Sequence, residues 1–264
     1  MWPMLKTLLR HSLGPANLWR IGIVGETIRM VKENRPASKA CNICGFFGYF
    51  SPYGFPVRPE ARCPQCFSSE RHRLFKLWFD DNADLLSEAR VLHFAAESAI
   101  ARFIKPVCRE YVTADIEPGR ADLTLNIEAI DLPDADIDIS ICSHVLEHVD
   151  DRRALRELNR ITKPHGIALL MMPVVEGWTG TYEDPTKQTP EQKHEYFGHW
   201  DHVRRYASDV RHRIPEAGFT LEEFTAVEPE VTRHGLLPGE KLFIASKANI
   251  VRQSSVKKLD QATP

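Results

Sequence analysis

The chain has 264 residues, of which 43% are hydrophobic and 27% charged, and this balance excludes a disordered or collagen-like protein. It is long enough for one full domain with appendages. Its net charge of −2 does not favour a nucleic-acid-binding protein.

The amino-terminal segment, residues 1–39, is basic, with seven Lys or Arg against two Glu, which leaves the rest of the chain acidic. Its apolar residues recur at helical spacing and predict an amphipathic helical arm. Arg10, Arg20 and Arg29 interrupt the apolar stretches, so no run reaches the length of about 18 residues that spans a bilayer. Residues 1–35 can lie on an anionic membrane surface, or the arm can pack on the body or on a second subunit.

Four cysteines stand in two close pairs, Cys41-x2-Cys44 and Cys63-x2-Cys66, with 18 residues between them. This spacing is typical of a zinc knuckle, because each pair forms a tight turn and the loop brings the pairs together. The alternatives are two disulfides or four unrelated core cysteines. We predict a structural Zn²⁺ in residues 40–70, since four thiolates leave no open coordination position.

Residues 71–89 are predicted to form a helix that links the knuckle to the following domain. The remaining cysteines, Cys108 and Cys142, fall in predicted α/β segments. We expect reduced thiols and a cytoplasmic protein, in contact with the inner membrane surface if the arm binds lipid.

From residue 90 to 247 short apolar strands alternate with helical segments. The predicted strands are Arg90–Ala95, Glu110–Asp115, Ile137–Ser143, Gly166–Pro173, Leu221–Ala226 and Lys241–Ser246, with a weaker one at Asp122–Asn126, and a helix is predicted over Asp151–Thr162. This alternation predicts an α/β domain whose parallel sheet is covered on both faces. The last two strands have a short connection and should form an antiparallel pair at the edge.

Ligands of such sheets bind beyond the carboxyl ends of the strands. The first strand runs into His93-Phe94-Ala95-Ala96-Glu97-Ser98, which lacks the glycines of a dinucleotide-binding turn. The second ends in Asp115, where a carboxylate can accept the ribose hydroxyls of a nucleoside; a solvated loop carboxylate is the alternative.

Several runs between residues 41 and 246 together carry a family resemblance. They are Asn126-Ile127, Leu132-Pro133, Asp138-Ile139-Ser140-Ile141, His144-Val145-Leu146-Glu147-His148-Val149 and Leu158-Asn159-Arg160-Ile161-Thr162-Lys163-Pro164-His165-Gly166. In their order they resemble class I S-adenosylmethionine-dependent methyltransferases of the type 11 group. The cysteine pairs, Leu92-His93-Phe94-Ala95 and the segment from Phe197 to Tyr206 are similar to a subset with an amino-terminal zinc knuckle.

The resemblance implies a Rossmann-like seven-stranded sheet and bound S-adenosylmethionine. It implies that Asp115 holds the ribose and that Asn126 and Ile127 flank the adenine. The residues assigned to the methionine end are His93, Phe94, Ala95, Glu97 and Ser143. The chain departs from the group in having Asn126 where Asp is common and in lacking the glycines of the first loop.

His144, Glu147 and His148 follow the strand that ends at Ser143, where cofactor and acceptor meet. We predict His144 as the general base for a hydroxyl acceptor, and the two histidines share a face if the segment is helical. The segment resembles the acid-rich motif of ubiquinone-type O-methyltransferases, which implies a second divalent metal at His144, Glu147 and His148. The alternative for Glu147 and His148 is that they brace the loop.

A second polar cluster, His194, His199, Asp201, His202, Arg204 and Arg205, follows an irregular segment predicted to be an acceptor-binding lid. We predict His202 and Arg204 as catalytic residues that face the acceptor, with Asp201 orienting a histidine. The alternative is a solvated surface.

A small molecule or glycan is the expected acceptor, most simply through a sugar hydroxyl, by analogy with relatives of this subset. One alternative is a methyltransferase directed at RNA or protein that docks through the knuckle, with phosphate contacts from Arg62, Arg71, His72 and Arg73. The acidic body disfavours nucleic acid. The other alternative is a non-catalytic interaction protein. Residues 248–264 are predicted to be a disordered tail.

Overall fold

The computed structural model describes residues 39–54 and 56–247, so the predicted basic arm and polar tail lie outside the described residues. The chain divides into two compact units. Of the described residues, the cysteine unit comprises 39–54, 56–88, 96–108 and 224–242, and the sheet unit comprises 89–95, 109–223 and 243–247.

The strands and helices are numbered in chain order. The strands are β1 (Lys39–Ala40), β2 (Phe47–Gly48), β3 (Ser51–Tyr53), β4 (Arg58–Arg62), β5 (Arg90–Phe94), β6 (Glu110–Asp115), β7 (Leu123–Thr124), β8 (Ile137–Ser143), β9 (Thr162–Met171), β10 (Val174–Val175), β11 (Tyr182–Glu183), β12 (Arg204–Ala207), β13 (Thr220–Phe224) and β14 (Leu242–Ser246). The helices are α1 (Glu70–Asn82), α2 (Asp84–Ser87), α3 (Ser98–Ile104), α4 (Asp151–Ile161), α5 (Pro190–Phe197), α6 (Val210–Glu216) and α7 (Glu230–His234), and a 3-10 turn covers Leu146–His148.

The sheet unit is built on a seven-stranded sheet in the order β13-β14-β9-β8-β5-β6-β7. Strands β5 to β9 pair in parallel, whereas β14 is antiparallel to β9. The predicted Rossmann-like seven-stranded sheet is confirmed. The two strands expected at the edge, β13 and β14, are neighbours there.

Strands β6 and β8 begin and end at the predicted residues, but β9 begins at Thr162 rather than Gly166. The pairing of β8 with β9 shifts register between Ile137 and Ile139, which accommodates extra residues in β9. A Cβ on Gly166 would lie 2.6 Å from the Asp138 carbonyl oxygen, so the close approach of the two strands requires glycine. The weak strand predicted from Asp122 is reduced to β7.

Helix α4 follows from its sequence signals. The Asp150 side chain caps its first turn by accepting a hydrogen bond from the Arg153 amide, and the apolar stripe Ala154, Leu155, Leu158 and Ile161 is buried in the core. The helix ends at the residue before Thr162, where the chain becomes extended ahead of a proline.

The segment after β9, predicted to be irregular, contains regular structure instead. Strands β10, β12 and β11 form a small sheet in that order. Helix α5 carries a capping box between Thr189 and Gln192 with Pro190 in its first turn. Within the described residues no helix is both long and apolar enough to cross a membrane.

In the cysteine unit, the short pairs β1–β2 and β3–β4 flank the cysteines, and α1 packs on α3. Phe103 of α3 lies against two rings of α1, with centroids 5.9 Å from Phe75 and 5.0 Å from Phe79. These aromatic contacts give the helical part of the unit its apolar interior.

Candidate active site and four-cysteine cluster

The four predicted cysteine ligands lie together in the cysteine unit. Their sulfur atoms are all within 4.8 Å of one another, with Cys41 Sγ 3.5 Å from Cys66 Sγ and Cys44 Sγ 3.6 Å from Cys63 Sγ. None of the four forms a disulfide. Hydrogen bonds from Cys63 and Cys66 lower the pKa of Cys41, whereas the hydrogen bonds with Cys41 and Cys66 raise the pKa of Cys63. The cluster has the donor set and spacing of a tetrahedral zinc site.

Both cysteine pairs form the same backbone turn. The amide of Gly45 donates to the Cys41 carbonyl at 2.9 Å, and the amide of Phe67 donates to the Cys63 carbonyl at 3.0 Å. The two donors occupy equivalent positions and both have left-handed backbones, with φ of 76° at Gly45 and 63° at Phe67. Glycine accommodates this conformation without strain, whereas phenylalanine does so at a cost.

Arg73 is buried at the base of the knuckle and is fully shielded from solvent. Its guanidinium donates to the carbonyl oxygens of Ala61, Ser68, His234 and Gly235. It also lies 4.5 Å from the Phe50 ring centroid. Arg73 and His72, which is 7% exposed, are therefore buried away from any phosphate, which corrects the contacts expected of an RNA-docking knuckle.

Glu97, predicted at the methionine end of the cofactor, belongs to the cysteine unit. Its carboxylate is paired with Arg71 and lies 2.9 Å from Nε2 of His72. Burial alone would raise the pKa of Glu97, but the hydrogen bond and charge of His72, together with Arg71, hold that pKa well below its usual range. The carboxylate is thus ionised and fixed to α1.

At the carboxyl end of β5, His93 and Phe94 are buried, and Nδ1 of His93 lies 2.7 Å from the Tyr111 hydroxyl. The next residue, Ala95, has a left-handed φ of 46° and donates its amide to the Ala114 carbonyl at 2.8 Å. The chain therefore turns sharply at Ala95, where a side chain no larger than a methyl group keeps the backbone open to a ligand.

The predicted nucleoside residues follow β6 and β7 in the sheet unit. Oδ1 of Asp115 accepts a hydrogen bond from the Glu117 amide at 2.9 Å, and Oδ2 lies 3.9 Å from Nε of the exposed Arg120. Oδ1 of Asn126 accepts the Glu128 amide at 2.9 Å, and Ile127 is buried. Each polar side chain orders its own turn and presents a further polar atom for a ligand.

His144 follows Ser143, a buried residue at the end of β8, and adopts a left-handed backbone with φ of 54°. Its amide donates to the Met171 carbonyl at 2.8 Å, and this bond extends the pairing of β8 with β9. The 3-10 turn begins only at Leu146, so the segment from His144 to His148 is not one helix. The two histidines therefore do not share a helical face, as they would in a helical segment. A non-glycine residue held in this conformation is typical of functional sites.

Glu147 is a buried carboxylate beside His144, with 1% of its side chain exposed. Nδ1 of His144 lies 3.0 Å from Oε1 of Glu147. Within the described part of the chain neither carboxylate oxygen accepts a hydrogen bond of good geometry. Burial alone would raise the pKa of Glu147, but its interaction with His144 outweighs burial and lowers that pKa. The group is therefore an ionised carboxylate with little hydrogen bonding.

Residues far apart in sequence meet at Glu147. The amide of Val203 donates to the Glu147 carbonyl at 2.9 Å, which brings the segment before β12 against the 3-10 turn. The His148 and His202 rings then meet edge to face with centroids 4.7 Å apart. Burial lowers the pKa of His202 and favours its neutral imidazole. Asp201 lies 3.2 Å from Nδ1 of His148 and also contacts His199.

Arg204, predicted to face the acceptor, is buried and bonded to protein groups. Its Nε donates to Glu183 at 2.7 Å, and its Nη1 donates to the carbonyl oxygens of Leu146 and Val149. Arg204 therefore holds the 3-10 turn in place. Its partners cannot be predicted from the sequence, because only folding brings Glu183 to Arg204.

A cleft of about 460 Å³ opens beside His148 in the sheet unit. Its lining is polar and consists of Glu128, His148, Val149, Asp150, Asp151, Arg152, Glu183, Val203, Arg204 and Arg213. Four carboxylates and three guanidinium groups belong to this lining, a surface suited to a ligand rich in hydroxyl groups.

Comparison with known proteins gives one match to a protein family. Residues 97–170 match the sequence profile of the methyltransferase domain family Methyltransf_11. No curated protein matches the chain in sequence.

Several solved structures resemble the chain. YcgJ of Bacillus subtilis is 21% identical over 58% of this chain and 71% of its own, with a TM-score of 0.43. A Mesorhizobium loti S-adenosylmethionine-dependent methyltransferase is 12% identical over 65% and 96%, with a TM-score of 0.47. The 1,6-didemethyltoxoflavin-N1-methyltransferase of Burkholderia thailandensis, solved with its substrate and S-adenosylhomocysteine, is 16% identical over 66% and 81%, with a TM-score of 0.44.

The profile match covers α3 through most of β9, which includes the candidate active-site turn. That match and the seven-stranded sheet around it indicate a methyltransferase domain with a Rossmann-like fold, which follows a four-cysteine cluster in the chain.

Proposed function

We propose that this methyltransferase acts on a hydroxyl group of a sugar, a glycan or a related small polar acceptor, with His144 as the general base. The observation that carries the proposal is the pairing of His144 with the buried carboxylate of Glu147, 3.0 Å away. A carboxylate at Nδ1 orients the imidazole and stabilises its protonated form, which leaves Nε2 to take a proton. A hydroxyl acceptor needs such a base because it must lose a proton during methyl transfer. An acceptor that carries no proton on the attacking atom needs none.

The residues assigned to the cofactor fit it chemically. Oδ2 of Asp115, which is not used in its own turn, can accept hydrogen bonds from the ribose hydroxyls. Nδ2 of Asn126 can donate a hydrogen bond to the adenine. The tight turn at Ala95 supports a close approach of the methionine end, with His93, Phe94 and Ser143 shaping the surrounding strand ends. S-adenosylmethionine supplies the electrophilic sulfonium methyl group when it is bound.

The protein's own part in the reaction is to place the acceptor and to remove its proton. His144 takes the hydroxyl proton at Nε2, and Glu147 stabilises the resulting imidazolium. Arg204 acts as a positioning residue, because it holds the turn that carries Glu147. The polar cleft beside His148 supports a hydroxyl-rich acceptor, and His202 borders the same turn.

The cysteine cluster is proposed to bind a structural zinc ion, with Cys41, Cys44, Cys63 and Cys66 as its ligands. Their close spacing supports four-coordinate thiolate binding, which has no open position for chemistry. The role of such an ion is to hold the fold of the cysteine unit. Contact of residues 1–35 with a membrane remains a prediction outside the described residues.

The test begins with calorimetric titration of the zinc-loaded protein with S-adenosylmethionine and its demethylated product. Labelled methyl transfer to free sugars, sugar nucleotides and glycans follows. His144→Ala should lower transfer by about 10²-fold or more, the usual contribution of a general base, and leave cofactor affinity within about twofold.

The matched control is His212→Ala, which removes an exposed histidine of α6 and should keep full activity. Full activity in His144→Ala would remove the base assignment. If the protein methylates RNA or protein and no hydroxyl acceptor, the proposed class of acceptor is wrong.

A further inference from the structure

We propose that Glu147, His148 and His202 form a binding site for a divalent first-row transition metal, distinct from the cysteine cluster. The sequence predicted a second metal with His144 as a ligand. The structure instead groups His202 with Glu147 and His148, with one donor atom from each all within 4.8 Å of one another. Two donors on one ion at about 2.1 Å are at most about 4.2 Å apart, so the site needs only a small contraction.

The buried carboxylate of Glu147 is the strongest indication of a cation-binding site. Glu147 is 1% exposed, and neither of its oxygens accepts a hydrogen bond of good geometry from the described residues. A carboxylate shielded from water with so few hydrogen-bond donors favours a nearby cation as an additional partner. His144 lies near Oε1 and leaves Oε2 for a metal.

The neighbouring residues hold the histidines as metal ligands are usually held. Asp201 lies 3.2 Å from Nδ1 of His148, which leaves Nε2 of that ring for the ion. Carboxylates that fix the second nitrogen of a metal-binding histidine orient the ring and raise its basicity. His199 contacts the same Asp201 and is half exposed, so it belongs to the support of the site.

The donor set selects the kind of metal. Two imidazoles with one carboxylate suit Zn²⁺, Fe²⁺, Mn²⁺ or Co²⁺, whereas Mg²⁺ and Ca²⁺ prefer oxygen donors alone. Three protein ligands leave coordination positions open for water or an oxygen of a ligand. The cleft beside His148 gives such a ligand access.

The experiment uses the full chain with one equivalent of zinc already bound, so that the thiolates are occupied. The protein is then titrated with Co²⁺ and followed by visible spectroscopy. We expect one further equivalent to bind with ligand-field bands and without the thiolate charge-transfer band. Glu147→Gln and His202→Asn should each weaken Co²⁺ binding at least about tenfold, the typical effect of losing one ligand or its support.

His212→Ala serves as the matched control and should bind Co²⁺ like the wild type. Binding that is absent, that shows a thiolate band, or that survives both ligand substitutions would overturn the proposal. His202 is only half buried, so His202→Asn gives the decisive result if Glu147→Gln does not fold. The readout needs neither cofactor nor acceptor, so its failure is separable from failure of the hydroxyl-methylation proposal.

Discussion

The sheet unit and the segment around the cysteines bury different kinds of side chain. The sheet unit has a continuous apolar core in which α4 and the strands contribute Leu, Ile and Phe. Among the described residues, the buried apolar cluster around the cysteines consists of Cys41, Phe50, Cys63 and Cys66, and the largest fully buried side chain is Arg73. We therefore expect this short segment to depend on the proposed zinc ion and on the hydrogen bonds from the buried Arg73.

Removal of zinc should produce the largest difference between the units. Zinc binding contributes roughly 10 kcal/mol to the folding of small knuckles, so Cys63→Ser or a strong chelator should unfold the segment around the cysteines. Hydrogen exchange followed by mass spectrometry should show lost protection over residues 40–68 and retained protection in β8 and β9. The control is Cys108→Ser, outside the cluster. Equal loss of protection in both units would contradict the comparison.

The next largest effect is expected from Arg73→Met. The substitution keeps much of the side-chain volume but leaves the carbonyl oxygens of Ala61, Ser68, His234 and Gly235 without their donor. We expect a loss of about 3–5 kcal/mol in the free energy of unfolding, typical of breaking a buried charged network.

The measurement is urea denaturation of zinc-loaded protein. Leu158→Ala is the matched substitution in the sheet unit and should cost about 2–5 kcal/mol by leaving a cavity in the apolar core. The variants should differ in zinc retention, which should fall for Arg73→Met and stay at the wild-type level for Leu158→Ala. Equal retention would mean that Arg73 does not support the cluster.

A smaller, pH-dependent effect is expected from Glu97→Gln. Because the pKa of Glu97 is lowered in the folded protein, its carboxylate stabilises the fold above the unfolded-state pKa of about 4.3. That stability disappears as the pH falls below this value toward the folded pKa. At pH 7 the variant should lose about 1–3 kcal/mol.

The difference in unfolding free energy between wild type and Glu97→Gln should shrink with acidification below about pH 4.3. Comparison of the two at each pH removes the shared effect of acid on the thiolates. The exposed Glu117 provides the control, and Glu117→Gln should leave stability unchanged. A difference that is constant with pH would show that the Glu97 carboxylate is not stabilised by its partners.

How much of the fold could be predicted depended on whether the signal was local. Strands β6 and β8 were predicted to the residue, because their apolar runs stop at residues that do not favour strands. The start of β9 was predicted late, since the register shift that extends it is a property of the pair of strands. The capping box of α5, formed by Thr189 and Gln192, is a local sequence signal for a helix. The prediction of an irregular lid did not use this signal.

The same distinction applies to the candidate sites. The cysteine cluster can be predicted from the sequence, because each of its two turns is a short local motif and the motif occurs twice. The grouping of His202 with Glu147 cannot be predicted from the sequence. It depends on the hydrogen bond from the Val203 amide to the Glu147 carbonyl, which joins residues far apart in the chain. The burial of Arg73 is equally invisible in sequence, where an arginine beside a knuckle resembles a solvated one.

The smallest expected effect separates backbone strain from packing in the knuckle. Gly45 has a left-handed φ of 76°, and a Cβ added there would meet nothing within 4 Å. Gly45→Ala should therefore cost only the conformational penalty, about 1–2 kcal/mol. Urea denaturation of zinc-loaded protein would measure it. The equivalent turn of the second pair already carries Phe67 in that conformation, so Phe67→Gly should recover part of the penalty unless the ring contact with Arg62, 4.9 Å away, offsets the gain. A change of the same sign in both variants would assign the effect to packing rather than to the backbone.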